Sequence, residues 1–344
     1  MNLRLWVWGI AVGASILLGV PAVAVPSAMK ISQGVSQQSG GNAAAAAEKS
    51  LKEGLQLYQQ GTAESLKGAI AKFEEAFKLY REAGNNSGQA ASLLALGKVY
   101  DDLGEKQKAL EYYSQSLPLS RAVGDRRGEA VTLNNIGRVY SDLGEKLKAL
   151  EYYSQSLPLY RAVGDRRGEA RTLNNIGGIY SDLGEKQKAL EYYSQSFPLS
   201  RAAGDRTIEA TTLKNIGGIY SDLGEKQKAL EYFRQSLPLY RAVGDRRGEA
   251  STLNNIGKVY SDLGEKQKAL EYYSQSLPLF RAVGDRDGEA NTLNNIGAVY
   301  SVLGEKQKAL EYYSQSLTMS RAVGDRRGQA TTLNNIGQVY SAVV

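Results

Sequence analysis

The stretch LNNIG, Leu133 to Gly137, recurs at Leu173, Leu253, Leu293 and Leu333, and a near copy, LKNIG, starts at Leu213. Each start lies 40 residues beyond the one before it. A fixed period of this kind marks a repeat array, so a domain count based on the length of 344 residues does not apply.

One unit, residues 130–169, reads AVTLNNIGRVYSDLGEKLKALEYYSQSLPLYRAVGDRRGE. In its first half Leu133, Ile136, Gly137, Tyr140 and Leu143 fall on one face of a helix. Gly144 suits the end of that helix. A second helix starts near Glu145, with Ala149, Tyr153, Ser156, Leu157 and Tyr160 on its buried face. Gly164 stops it, and Asp165 is placed to cap the next first helix. Neither helix can bury its stripe alone, so neighbouring units must stack. Gly137 and Ala149 are small enough to let the two backbones approach where they cross.

Pro118, Pro158, Pro198, Pro238 and Pro278 share one phase of the second helix. Each removes an N–H and crowds the carbonyl four residues back, Ser154 in the case of Pro158, at a cost of roughly 3 kcal/mol. A bent last turn is expected, and a hinge in every repeat is the functional alternative. Thr318 stands in this phase in the last full unit.

Composition removes whole classes of chemistry. With no Cys and no His, thiol catalysis, Cys/His zinc sites and histidine acid–base mechanisms are excluded. No cofactor or metal is implied, and the chain reads as a non-enzyme. The net charge of +6, from 42 basic and 36 acidic residues, is spread over the repeats. It lacks the dense patch of a nucleic-acid binder.

Residues 1–24, MNLRLWVWGIAVGASILLGVPAVA, carry Arg4, then an uncharged apolar run, then Ala22-Val23-Ala24. This is the pattern of a secretory signal cleaved after Ala24. An uncleaved membrane anchor over residues 5–25 is the alternative. Either reading exports the repeats, to the periplasm or beyond. Residues 25–42, which include the Ser/Gln/Gly-rich ISQGVSQQSGGN, read as a flexible linker.

The spacing of Leu133, Ile136, Gly137, Tyr140, Ala149 and Tyr153 resembles the tetratricopeptide repeat, or TPR. The 40-residue period, in place of 34, resembles the repeats of Pins-type and kinesin-light-chain adaptors and of exported cyanobacterial TPR proteins. The resemblance covers residues 43–344: a degenerate pair at 43–84, where Gly54, Ala69, Phe73 and Ala76 fit, and a regular array at 85–344. Residues 329–343 resemble the solvating helix that closes such arrays. The resemblance implies an all-α, right-handed superhelix (an α-solenoid) of about seven helix pairs plus a terminal helix. The first helix of each pair would line its inner groove.

On a helical wheel Asn135, Arg138 and Asp142 point away from the core stripe, and Asn134 flanks them. The copies differ most along this stripe: Val131 becomes Arg171, Thr211 or Ser251, and Arg138 becomes Gly178, Gly218 or Lys258. Asparagine amides both donate and accept, so a ladder of them could pair with an extended peptide backbone. The candidate groove residues are Asn134, Asn135, Arg138, Arg171, Asn174, Asn175, Lys214, Asn215, Asn254, Asn255, Lys258, Asn294, Asn295 and Asn335. A stripe left to drift by solvent exposure alone is the competing reading. The chaperone carboxylate clamp of related proteins wants Lys where this chain has Asn134, Asn174 and Asn254, and only Lys214 meets it.

Two further features are ambiguous. Arg126/Arg127, Arg166/Arg167, Arg246/Arg247 and Arg326/Arg327 form either a docking strip for anions or a solvated edge neutralised by Asp165 and Glu169. Tyr153 reads as core and Tyr152 as a partly exposed stacking residue. The expected function is a non-catalytic scaffold holding an extended peptide or protein partner in its groove. The alternatives are a structural, self-assembling repeat protein and a non-catalytic partner of a separate enzyme. No nucleic-acid partner is expected, and membrane contact would come only through an uncleaved N-terminal segment.

Overall fold

The computed structural model describes residues 34–341. The expectations of a signal or anchor, for residues 1–24 and 5–25, lie outside the described residues. Among the described residues there are fifteen α-helices and no strand: α1 (Gly34–Gln60), α2 (Ala63–Glu82), α3 (Asn86–Asp102), α4 (Lys106–Ala122), α5 (Arg126–Asp142), α6 (Lys146–Ala162), α7 (Arg166–Asp182), α8 (Lys186–Ala202), α9 (Arg206–Asp222), α10 (Lys226–Val243), α11 (Arg246–Asp262), α12 (Lys266–Val283), α13 (Arg286–Val302), α14 (Lys306–Val323) and α15 (Arg326–Ser341). Odd-numbered helices carry the LNNIG phase and even-numbered ones the KALEYY phase. The first helix starts at Gly34, inside the stretch expected as linker. Among the described residues no helix is long and apolar enough to cross a membrane.

The chain divides into two compact units, one ending at Ile179 and the other beginning at Tyr180. In the N-terminal unit α5 and α6 show how a pair closes. A Cβ placed on Gly137 would stand 2.8 Å from the Tyr153 ring and 3.2 Å from the Ala149 carbonyl oxygen, so only glycine lets the two helices meet. Ala149 and Tyr153 are buried there, and burying a side chain as large as tyrosine contributes on the order of 2 kcal/mol. Ser156 Oγ donates to the Ala130 carbonyl at 2.8 Å, satisfying a hydroxyl that is otherwise sealed in the core. At the start of the same unit Gly54 meets the Phe73 ring, with Ala69 and Ala76 buried beside it. The C-terminal unit repeats the device with Gly217 under Phe233, Gly257 under Tyr273 and Gly297 under Tyr313.

The turns follow from glycine and aspartate. Gly144 has φ +78°, and the Glu145 N–H reaches back to the Tyr140 carbonyl at 2.9 Å, a closure that needs a left-handed residue. Gly164, at φ +67°, ends the second helix in the same way. Asp165 Oδ1 then accepts from the Gly168 N–H at 2.9 Å and caps α7. Leu143, placed on the core stripe by its spacing, is instead 46% exposed, because the helix ends beneath it and it serves as the cap residue.

Tyr152 stacks on Tyr140 with ring centroids 5.4 Å apart, and Lys148 lies over Tyr140 at 5.1 Å. The same lysine–tyrosine–tyrosine stack recurs in each regular unit, for example at Lys308, Tyr300 and Tyr312. Tyr153 and Tyr152 thus divide as their positions suggest, one into the core and one onto a neighbouring ring.

The prolines do not interrupt their helices: α6 runs unbroken from Lys146 to Ala162 through Pro158. Pro158 and Ser154 both lie on the exposed face, so the carbonyl that loses its N–H partner faces solvent. At Thr318 the hydroxyl donates to that carbonyl directly, at 2.9 Å from Ser314 O.

Candidate functional site

The asparagines are placed by stacking of units as much as by their own helix. Asn134 is only 3% exposed, and its Oδ1 accepts from Thr172 Oγ1 at 3.1 Å and from Asn175 Nδ2 at 3.4 Å. In the C-terminal unit Asn254 accepts from Thr292 (3.2 Å) and Asn295 (3.3 Å), and Asn294 from Thr332 (3.3 Å) and Asn335 (3.1 Å). The first asparagine of one repeat therefore holds the second asparagine and a threonine of the next. Asn134 and Asn174 are buried and do not flank an open groove. The Asn134 amide is spent on the register between repeats, which a wheel drawn for one isolated helix cannot show.

This bonding leaves gaps where the first asparagine is missing. Leu94 precedes Asn135 in register and Lys214 precedes Asn255. Asn135 and Asn255 are half-buried and make no side-chain hydrogen bond among the described residues, whereas Asn215 is engaged. An ammonium group donates only, so Lys214 cannot accept from Thr252 or Asn255 as Asn254 accepts from its neighbours. It lies 6.0 Å from the centre of the Tyr240 ring and forms no ion pair among the described residues. Burial lowers its pKa; Asp245 opposes this and Arg247 adds to it. Lys258 is exposed, and a Cβ on Gly218 would meet nothing within 4 Å, so space is open beside this break.

Other candidates are already occupied. Arg138 pairs with buried Asp101, which also takes Lys106 Nζ at 2.6 Å. Lys98 and the Tyr58 hydroxyl both bind Asp102, and Lys106 also reaches Asp142. Three cations and three carboxylates thus balance in one cluster on α3, the start of α4 and α5 in the N-terminal unit. Sequence reasoning missed it. The signal was Asp101, which stands where the later copies have Ser141, Ser181, Ser221, Ser261 and Ser301. Arg171 is half-buried near the Tyr160 hydroxyl, whose pKa burial raises and Arg171 lowers.

Along the arginine edge, Arg161 pairs with Glu169 and Arg241 with Glu249, each at 2.7 Å. The second arginine of a pair reaches the capping aspartate of the next repeat, Arg127 to Asp165 at 3.1 Å and Arg247 to Asp285 at 2.6 Å. Much of the edge charge is thereby spent within the protein.

With this geometry in view, solved structures give matches in fold. The apo form of RapI matches with a TM-score of 0.64 and 19% identity, over 81% of this chain and 98% of that one. BtubC (BKLC) from P. vanneervenii matches at 0.55 and 19%, over 65% and 93%. A Rap protein complexed with Competence and Sporulation Factor matches at 0.55 and 15%, over 90% and 97%. No curated protein matches the chain. The family pattern described as tetratricopeptide repeat matches residues 62–122, 107–162, 128–202, 168–242, 208–282, 248–322 and 288–343. Glycine under an aromatic ring, aspartate at the first-helix caps from α5 onward and an uninterrupted series of family matches place this chain in the tetratricopeptide-repeat family.

Proposed function

We propose that this tetratricopeptide-repeat chain is a non-catalytic interaction scaffold that holds an extended segment of a partner protein along its first helices. The break in the amide ladder at Lys214 and Asn255 is its principal anchor. The observation that carries the reading is the substitution itself. In the phase where Asn254 accepts two hydrogen bonds at no electrostatic cost, the chain places a half-buried ammonium that forms no ion pair among the described residues. Such a group is expensive in a folded protein, and a carbonyl or carboxylate oxygen from a bound segment would offset the expense. Asn255 beside it offers a donor and an acceptor to a peptide backbone, and Asn135 does the same in the N-terminal unit. The similarity in fold to a Rap protein complexed with Competence and Sporulation Factor supports the reading. Export to the periplasm or beyond, read from residues 1–24, belongs to the same proposal.

Lys214→Asn separates stability from binding. The new amide can accept from Thr252 and Asn255, so the variant melts higher than the parent at neutral pH, by about 1–2 kcal/mol. The sign with pH follows from the lowered pKa: between the folded and the ordinary lysine value the unfolded chain binds more protons, so the parent gains stability as pH rises. The advantage of the variant therefore shrinks towards alkaline pH, read from paired melting curves. For function, short random peptides displayed on phage are selected against the parent chain. Peptides that bind the parent and lose at least tenfold in affinity for the more stable Lys214→Asn variant support the reading. If no peptide is enriched, or if selected peptides bind both proteins equally, this site is not the anchor.

A further inference from the structure

Two lysines of the C-terminal unit stand without the counter-ions that the repeat supplies elsewhere. Lys258 on α11 occupies the phase of Arg138, which reaches back to Asp101 on the preceding first helix. The residue in the phase of Asp101 is Ser221, so Lys258 meets no carboxylate there. Asp262, one turn further along α11, is taken by Lys226 Nζ at 2.7 Å. Asp222, the exposed last residue of α9, pairs with neither lysine among the described residues. Lys258 thus forms no ion pair among the described residues, as Lys214 forms none.

The two cations border one opening. Lys214 and Gly218 lie one turn apart on α9 and share a face. Gly218 and Lys258 hold the same phase on α9 and α11, first helices that are in contact. A Cβ on Gly218 would meet nothing within 4 Å, so the surface between the lysines is open. Asn255 stands beside Lys214, in the phase by which Asn175 meets Asn134. In no other copy are both lysine phases cationic. Asn254 with Ala298 and Asn294 with Gln338 are neutral, and Leu94 stands with the already paired Arg138. A neutral carbonyl would satisfy one ammonium and leave the other facing it. A carboxylate has two acceptor oxygens and the opposite charge, so it relieves both. Resting on the proposal that Lys214 anchors a bound segment, we infer that this segment is acidic: an internal aspartate or glutamate side chain sits over Gly218 and its carboxylate is shared by Lys214 and Lys258. Exposed Lys258 acts mainly in steering the segment, and half-buried Lys214 is screened less by salt. The recognised group is a side chain, so neither end of the segment is required.

The probe is a fluorescein-labelled, amidated peptide of alternating glutamate and serine, which in extended form presents its carboxylates on one side. Its control has glutamine in place of glutamate. Both are titrated into the full chain and followed by fluorescence anisotropy. The expected result is saturable binding of the glutamate peptide, at least tenfold tighter than the control, that falls at least tenfold with Lys258→Gln and with Gly218→Leu. Lys258 is exposed and Gly218 has open space before it, so both variants keep the fold, and circular dichroism melting curves no lower than the parent's check this. No binding at millimolar peptide, equal binding of the two peptides, or binding that Lys258→Gln leaves unchanged overturns the inference. Binding that appears only when the C-terminal amide is replaced by a free carboxylate overturns it as well. The two readings fail separately. Phage-selected peptides that need Lys214 but carry no acidic residue would keep the anchor and overturn the acidic segment. A glutamate peptide that needs Lys258 but binds the Lys214→Asn variant unchanged would remove Lys214 as the anchor, and the shared carboxylate with it.

Discussion

Gly168→Ile should unfold or severely loosen its repeat, and Tyr160→Ser added to it should restore most of the loss. A Cβ on Gly168 would stand 2.2 Å from the Tyr160 ring, which is buried and held on all sides. Overpacking of this kind costs about 3 kcal/mol, against which a gain in helix propensity of up to about 1 kcal/mol is too small. The chain itself contains the compensated pair. One repeat later, Ser200 and Ile208 occupy the two phases, both buried, with the large and small residues exchanged between the helices. Gly248 under Tyr240 and Gly288 under Phe280 repeat the first arrangement. In the C-terminal unit the reciprocal change, Ile208→Gly, leaves a hole costing about 3 kcal/mol, and Ser200→Tyr should refill it. Thermal melts of the two singles and the double at each site give the coupling directly, and a coupling below about 1 kcal/mol would mean that the two phases do not share one space.

That pair also shows how far the sequence could be read. The helix boundaries, the Gly137 notch and the Asp165 cap depend on residues within one 40-residue unit, where spacing and local chemistry decide the outcome. What spacing could not show were interactions made between units. Asn134 lies beside the outward stripe of its own helix, yet stacking buries it against Thr172 and Asn175. Asp101 reads as one acidic residue among many until Arg138, one repeat on, is brought to it. Gly168 stands in the string that carries the arginine edge, GDRRGEA, and nothing in its spacing marks it as core, although it packs on an aromatic eight residues earlier. In each case comparing the copies with one another carried the signal: Lys214 among asparagines, Asp101 among serines, Ile208 among glycines.

The prolines lead to the second large effect. Replacing Pro118, Pro158, Pro198, Pro238 and Pro278 together with alanine should raise the stability of the array by about 10 kcal/mol in total, an upper range of about 2 kcal/mol per site. The intrinsic difference between alanine and proline inside a helix is about 3 kcal/mol. From it must be taken about 1 kcal/mol per site, because proline also restricts the unfolded chain and alanine returns that freedom. The helices already run through these positions with the prolines on their exposed faces, so no core contact is lost by the change. Thr318 shows the geometry without proline, its helix extending from Lys306 to Val323 and the Ser314 carbonyl bonded. Repeat arrays melt by units, so the gain should appear as a higher and more cooperative transition in calorimetry. An unchanged transition would mean that each helix has already relaxed around its proline at little cost. If instead the five-alanine protein melts higher but loses the peptides selected on the parent, the prolines act as hinges that let the first helices adjust to a bound segment.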